Sequence, residues 1–292
     1  MRAKQWTTIA LLQETRRYFE SCGIESPRLD AELLLAHALG RERIRLYLDF
    51  EQPLTPDEVS GFRELVRRRA QREPVAYITG HREFWSLRLT VNRSVLIPRP
   101  ETESLVEASL ALLREHLPPG AAPMVLDLGT GSGAIAIALA KEIEGAVIVA
   151  ADRSLPALRV ANQNITAHGV QDRVHLVCSD WGDMLTGRSL FDLIVANPPY
   201  IPTAEIETLA PEIKNHEPHE ALDGGPDGLD FYRTWIPLLP RLLRPGGWIA
   251  LEIGDGQSHT VTTICTESGC LKNMGIKKDY ANVERVITAQ KV

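Results

Sequence analysis

From Met124 onward the chain alternates short apolar runs with helical segments, and this rhythm limits its fold more than any other feature. The runs are Val125–Leu128, Val147–Ala151, Val174–Cys178, Leu193–Ala196 and Trp248–Ile253. Helical patterns lie between them, among them Ala134–Ile143, Pro156–His168 and Gly228–Leu243. Such alternation predicts an α/β fold built on a parallel sheet. Ligands of these sheets bind beyond the carboxyl ends of the strands, so chemistry is sought in the residues that follow each run.

The preceding part reads differently. Residues 1–73 show helical spacing, with Ile9, Leu12 and Phe19 in one segment and Leu33, Leu34 and Leu35 in the next. Pro27 suits the first position of a helix after Ser26. Thr55-Pro-Asp-Glu58 is a capping box that predicts a helix running to about Glu73. Arg67, Arg68 and Arg69 fall in its last turns, where cations suit the helix dipole, and are read as a solvated helix end. Residues 74–97 carry Tyr77, Ile78, Phe84, Trp85, Leu87, Leu89 and Val91 in strand-like alternation, broken at Gly80 and Asn92, and predict a β-hairpin linker. Pro98 and Pro100 precede a helix from about Glu101 to His116. The expected organisation is a helical docking domain over 1–73, a hairpin linker over 74–97 and a larger α/β domain over 98–292.

Charge and composition narrow the partners. The 292 residues carry a net charge of −6, close to neutral in the first 75 and acidic in the rest. That lacks the basic footprint of a constitutive duplex-DNA binder, so no stable nucleic-acid partner is expected. The longest apolar run, Ala134–Ala140, is far short of the ~20 residues of a membrane span. The N-terminus lacks the pattern of a secretory signal. Cys22, Cys178, Cys265 and Cys270 form no Cys-x-x-Cys pair, which points to a reducing, cytoplasmic setting.

The first strand runs into Asp127-Leu-Gly-Thr-Gly-Ser-Gly133, with a helix close behind. Gly129, Gly131 and Gly133, with Thr130 and Ser132 between them, let a backbone approach a ligand closely. Alone this loop fits a dinucleotide fingerprint, a tight turn or a methyltransferase. No Gly-Lys-Ser/Thr follows, which excludes a Walker phosphate loop. Asp152 ends the second strand, 23 positions after Gly129. It suits either two ribose hydroxyls or the start of the next helix. Asp180 and Trp181 follow the third strand. A carboxylate beside an indole can meet an amino-bearing base and its flat face, although Trp181 taken singly fits a core equally well. His216-x-x-His219 has no further ligands nearby, so no metal site is expected.

Asn197-Pro-Pro-Tyr200 ends the fourth strand and carries the most information. Proline holds Asn197 extended, and neither Pro198 nor Pro199 has an N–H. The turn therefore offers carbonyl acceptors, joined by the side-chain oxygen of Asn197, with few competing donors. Two converging acceptors suit an –NH2 on a planar carbon, and Tyr200 offers an aromatic face to that plane.

With the glycine loop, this turn resembles class I S-adenosylmethionine methyltransferases that act on planar amino groups. Arg82-Glu-Phe-Trp85, Leu96-Ile-Pro-Arg-Pro-Glu-Thr-Glu103, Glu217-Pro218, Ala221-Leu-Asp-Gly-Gly225 and Asp227-Gly-Leu229 are similar to the release-factor glutamine methyltransferases (PrmC, also called HemK). The resemblance covers essentially the whole chain. It implies a Rossmann-like, seven-stranded class I sheet beside a small all-helical N-terminal domain. It implies methyl transfer from S-adenosyl-L-methionine, leaving S-adenosyl-L-homocysteine, to N5 of the glutamine in the Gly-Gly-Gln loop of bacterial class I peptide chain release factors. Carried onto this sequence, Gly129, Thr130, Gly131, Ser132, Gly133, Asp152, Asp180, Trp181 and Asn197 would hold the cofactor. Asn197, Pro198, Pro199 and Tyr200 would hold the substrate, with Asn197, Pro198 and Tyr200 catalytic. Arg99 and Glu101 would border the mouth of the site. The family commonly has a glycine between Asp279 and Arg285; here Asn282 is expected to take the left-handed conformation in its place. The alternatives are an adenine N6 DNA methyltransferase, a ribosomal-protein glutamine methyltransferase, a non-catalytic scaffold and a NAD dehydrogenase.

Overall fold

A computed structural model describes residues 5–118, 120–181 and 189–292. Their contacts divide into two compact units, one of residues 1–80 with 210–216, the other of 81–209 with 217–292.

The first unit is helical. Its elements are α1 (Thr8–Ser21), α2 (Pro27–Leu39), α3 (Arg45–Leu48), α4 (Pro56–Ala70) and α5 (Val75–Thr79). Thr7 caps α1 by accepting a hydrogen bond from Ala10 N, and Pro27 occupies the first turn of α2. Both halves of the capping box at Thr55 and Glu58 form. Leu11, Phe19, Leu34, Leu35, Phe62 and Ile78 fill the core.

Three sequence expectations change here. The helix expected to reach Glu73 ends at Ala70, and Arg72 takes a φ of 69°. The basic run is not uniformly solvated. Arg67 pairs with Glu64 at the surface, whereas Arg69 is buried between Asp30 and Glu212, at 2.7 and 2.8 Å. One guanidinium serves two carboxylates because its fork of N–H groups reaches both. The third change is at Tyr77 and Ile78, which lie in α5 rather than in a strand. Gly80 ends that helix, and the hairpin begins only at His81.

The second unit opens with this hairpin, β1 (His81–Phe84) and β2 (Leu87–Thr90). Its turn puts Trp85 and Ser86 at positive φ, as a tight hairpin requires. Trp85 N donates to Glu103 Oε1 at 2.8 Å, which holds the strained turn in place. There follow α6 (Glu103–His116), β3 (Met124–Leu128), α7 (Ala134–Glu142), β4 (Val147–Asp152), α8 (Leu155–Ala167), β5 (Val174–Cys178) and β6 (Phe191–Ala196). A short α9 (Pro211–His216) packs with the helical unit. Then come α10 (Asp230–Trp235), β7 (Leu243–Glu252), α11 (Ser258–Glu267), β8 (Leu271–Lys278) and β9 (Glu284–Lys291).

Seven strands form one sheet in the order β5-β4-β3-β6-β7-β9-β8. β3, β4, β5, β6 and β7 run parallel, and β9 is antiparallel to both of its neighbours. Alternate residues of β3 enter opposite cores: Val125 packs in the layer of α6, α7 and α8, while Leu126 and Leu128 pack in the layer of α10 and α11. Every residue from Ala134 to Ala140 is buried, which accounts for the apolar run.

The helix expected over Gly228–Leu243 is interrupted. Only Asp230–Trp235 is α-helical, with a 3-10 turn at Leu239–Arg241. Pro237 and Pro240 have no N–H for the helical ladder, and their rings crowd the preceding turn. β7 also starts earlier than Trp248, because Leu243 pairs with Phe191 before an irregularity in register. At the C-terminus, Asn282 has a φ of 64°, the conformation expected of it. Asp279 braces that turn by accepting from Ala281 N, Val283 N and Arg285 Nε.

Candidate active site

The strand order reverses at β3, which lies between β4 and β6, so the crevice at their carboxyl ends is the topological switch point. Gly129 N and Thr130 N donate to Ala151 O at 2.9 and 3.0 Å, tying the glycine loop to β4. Gly131 N donates to Asp152 Oδ2 and Ser154 N to Asp152 Oδ1, at 2.9 and 2.8 Å. The helix-start role falls to Ser154, which caps α8 by accepting from Ala157 N; Asp152 ends β4 and braces that cap, and each of its oxygens keeps a lone pair for a ligand. Burial raises its pKa, opposed by those two N–H groups.

Gly129 takes a φ of 71°, and a Cβ there would lie 3.0 Å from the Trp181 ring. Only glycine lets the indole lie against the loop. Trp181 in turn packs on Phe231, with ring centroids 4.7 Å apart. Beneath the loop, Asp127 is fully buried. Its Oδ2 accepts from Thr130 Oγ1 at 2.7 Å, while among the described residues Oδ1 has no hydrogen-bond partner. Burial pushes its pKa up to about 7, and the charge of Asp152 adds to the shift.

These residues face an open cavity. Gly129, Thr130, Gly131 and Ser132 line it on the loop side. Asp152, Asp180 and Trp181 line it from the next two strands, and Asn197 and Pro199 from β6. Gly133, Pro198 and Tyr200 are not on its wall. Gly133 is the N-cap of α7, Pro198 is buried, and Tyr200 is half-buried with its hydroxyl 3.3 Å from Glu252 Oε1. Arg99 lines the cavity and Glu101 does not.

The Asn197–Tyr200 turn is enclosed by later segments. Ile201 pairs with Asp223, and Gly224 N donates to Ile201 O. Gly228 approaches so closely that a Cβ would lie 2.2 Å from Tyr200 O. Gln257 Nε2 donates to the same oxygen at 2.9 Å. The glycines of Asp223-Gly-Gly225 and Asp227-Gly-Leu229 thus serve to wrap the turn. Asn197 Nδ2 donates to Thr102 Oγ1 at 3.1 Å; among the described residues its Oδ1 accepts nothing.

Several site residues escaped the sequence reading. Glu252 is a fully buried carboxyl whose pKa burial pushes up to about 7. A lone acid at the carboxyl end of the apolar run Trp248–Ile253 was the available signal. Thr102 was visible only as part of a longer motif. Glu217 is buried and accepts from Ile97 N and from Arg99 Nη2, at 3.1 and 2.6 Å, so it holds the Pro-rich stretch against the site.

Residues 10–80 match the PrmC N-terminal domain and residues 103–219 the methyltransferase small domain. The chain is 47% identical over 264 residues to a protein of Geobacter sulfurreducens named release factor glutamine methyltransferase, covering 90% of each. It is 41% identical over 286 residues to one of that name from Rhodopirellula baltica, covering 98% of this chain and 97% of the relative. The chain belongs to the release factor glutamine methyltransferases. A further member of that family, from Moorella thermoacetica, is 44% identical over 278 residues, covering 95% of this chain and 96% of the relative.

The sheet is that of class I methyltransferases in general. The catalytic domain of hMettl16, solved with a 3'UTR hairpin, has a TM-score of 0.57 at 16% identity, covering 75% of this chain and 80% of that one. A T. thermophilus 16S rRNA N2 methyltransferase, solved with AdoMet and guanosine, has a TM-score of 0.50 at 22% identity, covering 73% and 50%. These two share the fold. In this release factor glutamine methyltransferase, no helix of the described residues is long and apolar enough to cross a membrane.

Proposed function

We propose that this protein transfers a methyl group from S-adenosylmethionine to N5 of the glutamine in the Gly-Gly-Gln loop of bacterial class I release factors. The observation that carries the reading is the free Oδ1 of Asn197 on the wall of a cavity that also holds the glycine loop. Family membership supports the substrate class.

The donor set fits S-adenosylmethionine. Asp152 suits ribose hydroxyls, the glycine backbone admits a closely packed ligand, and Trp181 offers a flat face. Asp127 Oδ1, buried without a partner, is a further acceptor beneath the loop. When bound, S-adenosylmethionine supplies an electrophilic methyl on a sulfonium.

The chain's own residues bind and orient the amide. An amide nitrogen is a weak nucleophile because its lone pair is delocalised, so placement carries much of the catalysis, worth up to ~7–11 kcal/mol. Asn197 Oδ1 and the Pro198 carbonyl each accept one amide N–H. Their pull strengthens as the nitrogen becomes positive, which favours the transition state over the ground state. Tyr200, its hydroxyl held at Glu252, packs beside the amide plane. A glutamate in place of glutamine would set acceptor against acceptor and be rejected. The helical unit provides a second grip on the release factor, which a short loop alone cannot, and exposes Ile44, Tyr47 and Leu48.

The test is mass spectrometry of a release factor incubated with the protein and S-adenosylmethionine, with duplex DNA in parallel. The expected result is one methyl on the Gly-Gly-Gln glutamine and none on DNA. Transfer to adenine instead would move the chain to the nucleic-acid enzymes that use a similar turn.

A further inference from the structure

Arg99 stands on the wall of the cavity between Pro98 and Pro100, each with a fixed φ. Thr102 N closes the turn by donating to Arg99 O at 3.2 Å, and the Thr102 hydroxyl lies 3.1 Å from Asn197 Nδ2. The turn that carries Arg99 therefore lies against the Asn197 turn. Its guanidinium is anchored on one side. Nη2 donates to Glu217 Oε1 at 2.6 Å, and the Glu217 side chain, 1% exposed, also accepts from Ile97 N. Among the described residues this is the one hydrogen bond of the Arg99 side chain, so most of its N–H groups stay unused. A second carboxylate completes such a fork. Arg69, in the helical unit, shows the pattern in the same chain, holding Asp30 and Glu212 at 2.7 and 2.8 Å.

Charge on the wall says where that carboxylate comes from. Asp152, Asp180 and Glu220 are acidic, and among the described residues Arg99 and Arg153 are the only cations there. Arg153 follows Asp152 at the end of β4 and pairs with Glu220 at 3.1 Å. Arg99 is thus the cation beside the Asn197 turn, and its own partner is buried. S-adenosylmethionine carries a single anionic group, the carboxylate of its methionine part. We propose that Arg99 recognises this carboxylate, with Glu217 holding the guanidinium in the orientation that receives it. Bonds from a planar fork to a carboxylate are among the stronger polar contacts, and the prolines and Glu217 fix the fork before the ligand arrives. Arg99 thereby selects the amino-acid end of the cofactor. Adenosine compounds without a carboxylate are left to the glycine loop, Asp152 and Trp181. The inference rests on the cofactor reading above and not on the choice of glutamine.

The test measures binding to the full-length protein by calorimetry, without turnover, using S-adenosylmethionine and its decarboxylated form. The wild type is expected to bind the decarboxylated form about tenfold or more weakly than S-adenosylmethionine. Arg99→Met keeps the length of the side chain without its charge. It is expected to lose about the same factor for S-adenosylmethionine and to bind the decarboxylated form no more weakly than the wild type does. Should that variant not fold, Arg99→Met combined with Glu217→Gln leaves no buried carboxylate without its cation, and the same loss of preference is expected. A preference for S-adenosylmethionine that survives the loss of Arg99, or equal weakening for both ligands, overturns the proposal. So does unchanged cofactor binding with a raised KM for a Gly-Gly-Gln peptide, which would give Arg99 to the substrate; in these outcomes the cofactor reading stands. A wild type that binds neither ligand overturns the cofactor reading and the proposal with it.

Discussion

At the residue level, the proposed chemistry converges on a few oxygens. Asn197→Ala removes one of two proposed acceptors, so kcat is expected to fall about 10²-fold while S-adenosylmethionine affinity stays within a few-fold; near-normal turnover would remove Asn197 from the mechanism. Asp127 offers a different check. Its ordinary carboxyl pKa of 3.8 is pushed up to about 7, so the folded state holds the proton more tightly than the unfolded chain. Its contribution to stability is complete below 3.8 and is lost as the pH rises to about 7. Asp127→Asn is therefore expected to flatten the fall in Tm between pH 5 and pH 7.5, and an unchanged slope would contradict the raised pKa. Sequence alone made Asn197, Asp152 and the glycine loop legible, because their residue types and spacing carry the geometry with them. Thr102 and Glu252 were not legible, since a threonine before a helix reaches Asn197, and an acid ending a strand reaches Tyr200, only once the sheet is assembled.

Among the elements, the loop around the Asn197–Tyr200 turn decides whether the turn keeps its shape. Gly228→Ala places a Cβ 2.2 Å from Tyr200 O at a φ of 76°, so the turn must shift. A displacement of about 1 Å at a reacting group costs about 10²-fold, and a kcat loss of that order is expected with the fold intact by circular dichroism. A kcat equal to the wild type would show that the loop does not brace the turn. At the other end of the chain, Thr55→Ala removes a complete capping box and is expected to destabilise the helical unit by about 1 kcal/mol in urea unfolding. The same contrast governs what could be read in advance. The capping box and the strands β3, β4, β5 and β6 were clear, since their signals are local. β8 reads Leu-Lys-Asn-Met-Gly-Ile-Lys-Lys and is largely exposed at the sheet edge, so it carries no apolar run; only the family resemblance implied its presence. The interrupted helix at α10 shows a local rule, two prolines, overriding an apolar pattern.

For the whole molecule, the proposed function divides substrate choice between a cavity that would take one glutamine and a helical unit that would recognise the rest of the factor. Leu48 is 63% exposed, so Leu48→Glu leaves the core of that unit alone. The variant is expected to raise KM for an intact release factor severalfold and leave KM for a short Gly-Gly-Gln peptide unchanged, and equal effects on both would contradict the docking role. The change of character after residue 73 marked the end of the helical part, although the hairpin read as a separate linker belongs to the second unit, which begins at His81. The inclusion of residues 210–216 in the helical unit was not, because the buried pairing of Arg69 with Glu212 joins positions 143 residues apart. The central claim is that a proline-stiffened turn grasps both hydrogens of the substrate amide. It is tested most directly by a crystal structure of the protein with S-adenosylhomocysteine and a Gly-Gly-Gln peptide. The account requires the glutamine –NH2 within hydrogen-bond distance of both Asn197 Oδ1 and the Pro198 carbonyl, with its nitrogen facing the sulfur. A glutamine bound with its carbonyl oxygen toward Asn197, or held away from that turn, would contradict it.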